Sequence, residues 1–85
     1  MKTGTDIEEA VLDLLRSRAP LAWGGALPDE LRLGTGGLGL DSIAMVELLL
    51  DCERRFGITV AAELLEGAPL TVGRLIAHVR GTLPR

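Results

Sequence analysis

Aromatic side chains are almost absent from this 85-residue sequence: Trp23 and Phe56 are the two present, and there is no tyrosine. A core must therefore come from leucine, valine, isoleucine and alanine, which suits short helices packed together. One cysteine, Cys52, allows no internal disulfide and fits a reducing compartment. With a single histidine, His78, it also leaves no cluster of metal-ligand type, and no metal is expected. Runs of Lys or Arg are missing and the net charge is −3, so nucleic acid is not an expected partner; neutralising phosphates needs a basic face. No apolar run approaches the ~18 residues of a membrane span. The opening MKTGTDIEEA has no apolar centre after its lysine, so no secretory signal is expected, and a cytoplasmic location is.

What is present is helical periodicity. Length implies one domain, residues 1–85, with a core at about 6–80. Thr5 with Glu8 has the spacing of a capping box. Ile7, Ala10, Val11, Leu14 and Leu15 follow as one stripe, acids stand in the first turn, and Arg16 and Arg18 stand in the last. Pro20 stops this helix, predicted over 6–18. Residues 19–41 carry six glycines and two prolines but also Leu21, Trp23, Leu27, Leu31, Leu33, Leu38 and Leu40. The predicted state is an ordered loop pinned to the bundle by those side chains, with one turn at Pro28–Leu31. A second helix of roughly 14 residues follows, capped by Ser42 and stopped by Gly57. Its apolar stripe is read as Ile43, Val46, Leu49 and Leu50, with Ala44, Glu47, Asp51, Arg54 and Arg55 opposite and Cys52 near the apolar side, as a buried small hydrophobe. Ile58-Thr59-Val60 is β-branched but lacks a partner strand. Ala61 to Leu65 is predicted as a short helix. Thr71 caps a last one with Val72, Leu75, Ile76 and Val79 inward, closed by Gly81 and Pro84. The fold class is all-α: three main helices, one short helix and a long loop between helices one and two.

Four nucleotide-binding or catalytic readings fail on residue type and spacing. Gly34-Thr35-Gly36-Gly37-Leu38-Gly39 matches G-x-G-x-x-G, but the dinucleotide fingerprint needs a preceding strand and a βαβ unit. Gly34 and Gly39 also have phosphate-loop spacing, but Leu40-Asp41 stands where Lys-Ser/Thr is required. A serine hydrolase at Ser42 needs an oriented base. The sole histidine, His78, is expected in solvent with Arg74 on the polar side of the last helix, and Ser42 lacks the G-x-S-x-G elbow. Glu47 and Asp51, one turn apart, read as a solvated face and not as an acid/base pair.

Ser42 is the residue that invites a function. At a helix start, its hydroxyl carrying a phosphodiester would place negative charge among free N–H groups at the positive dipole end. The plainer reading is a helix cap and nothing more, as in an unmodified helical interaction domain. Asp41 opposes a neighbouring phosphate and needs another role; binding the metal or basic groups of a modifying enzyme is one candidate.

Leu40-Asp41-Ser42-Ile43, then Val46-Glu47-Leu48, Glu53, Phe56-Gly57-Ile58 and Leu70-Thr71-Val72, resemble the acyl carrier proteins over about residues 6–80. The resemblance implies a right-handed four-helix bundle without catalytic activity of its own. It implies 4′-phosphopantetheine attached covalently to Ser42 from coenzyme A, with Asp41 part of the modification motif, and acyl groups held as thioesters on the arm. Expected partners are a phosphopantetheinyl transferase and pathway enzymes such as an acyltransferase, ligase or ketosynthase. Docking is expected around Ile43, Met45, Val46, Glu47 and Asp51, the acids attracting basic patches on partners. A monomer is expected, and the opening Met suggests a free-standing carrier. Ala44 and Arg54-Arg55 stand where fatty-acid carriers are usually acidic, which favours a polyketide or other specialised-metabolite pathway. Peptidyl carriers of nonribosomal synthesis rank second, since they more often show Gly-Gly-x-Ser.

Overall fold

The computed structural model describes residues 3–18, 27–66 and 68–83. The described residues form three α-helices, α1 (Thr3–Arg18), α2 (Ser42–Phe56) and α3 (Val72–Thr82), with a 3-10 turn at Ala62–Leu65 between α2 and α3. No strand occurs among the described residues; one isolated antiparallel bridge pairs Arg32 with Thr71. The all-α, acyl-carrier-like bundle expected from the sequence is the observed architecture. Helix α1 packs against both α2 and α3. The core is aliphatic: Val11, Leu15, Leu33, Leu48, Cys52, Val72, Leu75 and Val79 are fully enclosed.

Each helix follows its sequence signals with a shift. The backbone of α1 is helical from Thr3, three residues before the predicted start at position 6, so Thr5 lies inside the first turn and is not the cap. The Thr–Glu spacing alone cannot distinguish the two, because both residues are also tolerated within a first turn. In α3, Thr71 caps as predicted, its Oγ1 accepting from the Arg74 N–H at 3.2 Å, and Val72, Leu75, Ile76 and Val79 are buried. Gly81 does not end the helix, which runs to Thr82. A helical glycine costs only about 1 kcal/mol against alanine, and the Leu83 N–H still reaches the Val79 carbonyl at 3.1 Å.

Helix α2 buries a different face from the one its apolar stripe predicts. Leu48, Leu49 and Cys52 point into the core, with Met45 and Phe56 packed against it. Ile43 is 71% exposed, Val46 47% and Leu50 46%. Of the predicted stripe only Leu49 is buried. Apolar residues at 43, 45, 46, 48, 49, 50 and 52 cover more than half the circumference at about 100° per residue. Periodicity therefore admits two phases, and contact with α1 selects one. Cys52 is buried as expected; burial, then the nearby Asp51 carboxylate, push its thiol up to about 11.

The segment leading into α2 is held as predicted by buried leucines, Leu33 and Leu38, with Leu27, Leu31 and Leu40 packed against the core. Leu21 and Trp23 lie outside the described residues. Main-chain bonds fix it to the start of α3 and the chain just before it: Leu33 N–H to Leu70 C=O at 3.0 Å, Val72 N–H to Leu31 C=O at 3.0 Å, and Gly73 N–H to Asp29 C=O at 2.9 Å. The segment folds back on itself so tightly that a Cβ on Gly37 would stand 1.9 Å from the Arg32 carbonyl oxygen. The glycines of the spurious dinucleotide motif thus build turns. Ile58 to Val60 forms no strand. Glu53 ties this exit: its carbonyl accepts from Gly57 at 2.8 Å and Ile58 at 3.2 Å, and its carboxylate from Val60 N–H at 2.9 Å. Gly57, at φ 67°, takes the left-handed turn that glycine adopts without a Cβ penalty.

Candidate functional site

Asp41, not Ser42, caps α2. Its backbone is extended and its Oδ1 accepts the Ala44 N–H at 2.8 Å, while its carbonyl accepts the Met45 N–H at 2.9 Å. Both residue types are good caps, so composition could not choose between them. The consequence is chemical. The Asp41 carboxylate is occupied in the turn, and Ser42 becomes the first helical residue with its side chain exposed. Among the described residues the Ser42 hydroxyl has no hydrogen-bond partner. It stands at the N-terminal end of a 15-residue helix, where the dipole favours negative charge.

A cleft of about 300 Å³ opens beside it, lined by Gly34, Thr35, Leu40, Asp41, Ser42, Met45, Val46 and Leu65. The incoming segment supplies one wall, α2 the other, and the 3-10 turn an edge. Another cleft, of about 290 Å³ between α1, Asp29 and α3, shares no residue with it. His78 does not line the cleft at Ser42. Nor is it in solvent as predicted: it is half-buried, and its Nε2 is enclosed without a hydrogen-bond partner. No group of three His, Cys, Asp or Glu side chains able to hold a metal occurs among the described residues.

The model of the phosphopantetheine attachment site family matches residues 36–79, just over half of the chain, from the turn before α2 to the last core residue of α3. The chain belongs to the phosphopantetheine attachment site family. Such proteins carry 4′-phosphopantetheine covalently and work as carriers. Comparison with curated proteins and with solved structures gave no match. The residues present fit the group: an exposed serine hydroxyl, unpaired within the described chain, sits at a helix N-terminus with open space beside it.

The remaining predicted positions are only partly brought together. Ile43 and Val46 flank Ser42 on the surface, whereas Met45 turns inward, half-buried, and lines the cleft. Glu47 and Asp51 lie along the α1 side of α2 and are engaged by Arg18, which the sequence places only as a basic residue in the last turn of the first helix. Arg18, the last residue of α1, places Nη1 2.6 Å from Glu47 Oε1 and Nη2 2.6 Å from Asp51 Oδ2. Arg54 adds a 3.0 Å pair to Asp51 Oδ1. The Arg18 hydrogen bond holds the Asp51 carboxyl below its usual range, helped by Arg54 and opposed by partial burial. Arg18 is correspondingly raised. Sequence spacing gives no sign of this bridge, since 29 and 33 residues separate the partners.

No helix among the described residues is long and apolar enough to cross a membrane.

Proposed function

We propose that the chain is an acyl carrier protein that holds acyl intermediates as thioesters on a 4′-phosphopantetheine arm esterified to Ser42, in polyketide or other specialised-metabolite biosynthesis. The observation that carries this reading is the exposed Ser42 hydroxyl at the first position of α2, inside the family-matched segment. The arm supplies a thiol on a long flexible tether. Ser42 Oγ supplies the ester oxygen, and the helix end favours the phosphodiester charge. Asp41 holds the first turn so that the hydroxyl is presented at a fixed place. Ile43 and Val46 offer apolar contact to a docked enzyme, with Met45, Glu47 and Asp51 beside them. No residue of the chain is assigned to catalysis. The departures from an acidic second helix, Ala44 and the Arg54-Arg55 pair, support a specialised pathway over housekeeping fatty-acid synthesis. The proposed partners are a phosphopantetheinyl transferase, then acyl-loading and condensing enzymes, acting on a monomer in the cytoplasm.

The test is direct. Incubation with coenzyme A and a broad-specificity phosphopantetheinyl transferase should add one phosphopantetheine mass to the intact protein and none to Ser42→Ala. An unmodified wild type, or a modified Ser42→Ala, refutes the assignment.

A further inference from the structure

The structure assigns Arg18 a role in partner choice: it screens the acidic edge of α2, so that Glu47 and Asp51 do not attract basic surfaces and α2 meets partner enzymes through its apolar stripe. This rests on the carrier reading and concerns how the same site is recognised. An enzyme that transfers an arm to Ser42 must cover the residues around it. On α2 those residues form two adjoining rows. Ile43, Val46 and Leu50 are the exposed apolar row, continued by Leu65, which is 39% exposed. Glu47 and Asp51 form the second row, turned toward the end of α1.

The acidic row is closed by its own chain. Arg18 contacts both carboxylates and donates twice to Asp51, from Nη2 at 2.6 Å and Nε at 3.2 Å; Arg54 takes the other Asp51 oxygen. Two cations face two anions, leaving the row neutral. The Arg18 and Asp51 side chains are only 27% and 22% exposed, so a docking lysine or arginine would have to displace a formed, partly sheltered pair. A neutral row steers little, and specificity falls to the apolar one. The partner this face fits presents an apolar concave surface, not a basic one.

The probe is a phosphopantetheinyl transferase with a basic carrier-facing surface, used with coenzyme A at limiting carrier concentration. The initial rate of mass gain is followed from ~10 mM to ~1 M salt, where the screening length shrinks from about 30 to 3 Å. Wild type should depend weakly on salt. Arg18→Gln uncovers the acids and should react a few-fold faster at the lowest salt, converging with wild type at the highest. Arg18→Lys, which keeps the charge, should stay near wild type. Wild type as steep as Arg18→Gln, or Arg18→Gln as flat as wild type, overturns the inference. Should Arg18→Gln lose its helical circular dichroism, Glu47→Gln/Asp51→Asn decides. With Arg18 and Arg54 then unopposed, its rate should rise with salt; a flat profile beside a steep wild type overturns the inference. Absence of mass gain in every variant defeats the attachment reading itself, a separate result.

Discussion

Leu48→Ala and Leu50→Ala form a pair that tests which face of α2 is the core. The two leucines are two residues apart on one helix and identical in the amount of side chain removed. Leu48 is fully enclosed and Leu50 is 46% exposed. Removing a buried leucine side chain loses its transfer free energy and leaves a cavity, together about 2–5 kcal/mol. At ~0.05–0.15 kcal/mol per residue, 85 residues hold roughly 4–13 kcal/mol in all. Leu48→Ala should therefore remove a large fraction of the stability. At ~4–8 °C per kcal/mol for a domain of this size, its melting midpoint should fall by on the order of 10–40 °C. Leu50→Ala has little to lose and should cost about 1 kcal/mol or less. Thermal and urea unfolding followed by helical circular dichroism measure both. Equal losses, or a larger loss at Leu50, would show that α2 is rotated from the described orientation. Ile43, Val46 and Leu50 would then not form an exposed row, and α2 would offer partners no apolar stripe.

Asp41→Ala should cost about 1 kcal/mol by leaving the Ala44 N–H without its cap, while Asp41→Asn should stay within a few tenths, measured by urea unfolding. Cys52 should make the fold sensitive to alkali. Its folded-state pKa of about 11 lies above its ordinary 9.0, so its contribution is complete below pH ~9 and lost as pH rises to about 11, on the order of 2 kcal/mol. With one lysine and no tyrosine in the chain, few other groups titrate there, and Cys52→Ala should flatten the decline in stability between pH 8 and 11. Asp51 works with the opposite sign. Its lowered pKa contributes stability that is present above pH ~4 and lost as pH falls through its folded value. Asp51→Asn should accordingly show a shallower acid limb than wild type in denaturation across pH 2 to 6.

Much of this fold could be read along the chain because the signals are local. Val72, Leu75, Ile76 and Val79 after a threonine cap specify α3 and its inward face without reference to the rest of the molecule. Gly57 marks the end of α2 for an equally local reason, a left-handed turn. The leucines between residues 27 and 40 distinguished a pinned loop from a disordered one. The predicted loop positions Leu33 and Leu38 are buried; Leu21 and Trp23 fall outside the described residues. Features that depend on long-range contact are not legible in this way. A helix with apolar residues at seven of ten positions has no unique inward face until its neighbours are placed. The serine and the aspartate that begin α2 compete for one capping role, and backbone geometry gave it to Asp41. That exchange leaves the serine free, which favours the site more than the predicted cap would have.

The sequence alone determined a small aliphatic all-helical domain, its helix ends to within a few residues, and the short string at 40–43 that points to a carrier. These follow from periodicity, turn chemistry and residue type, all properties of neighbours in the chain. Tertiary structure decided which row of α2 faces outward, that the Ser42 hydroxyl stands unpaired beside a cleft, and that Arg18 closes on Glu47 and Asp51. Each depends on where α1 lies against α2, and that placement is set by packing between residues about thirty positions apart.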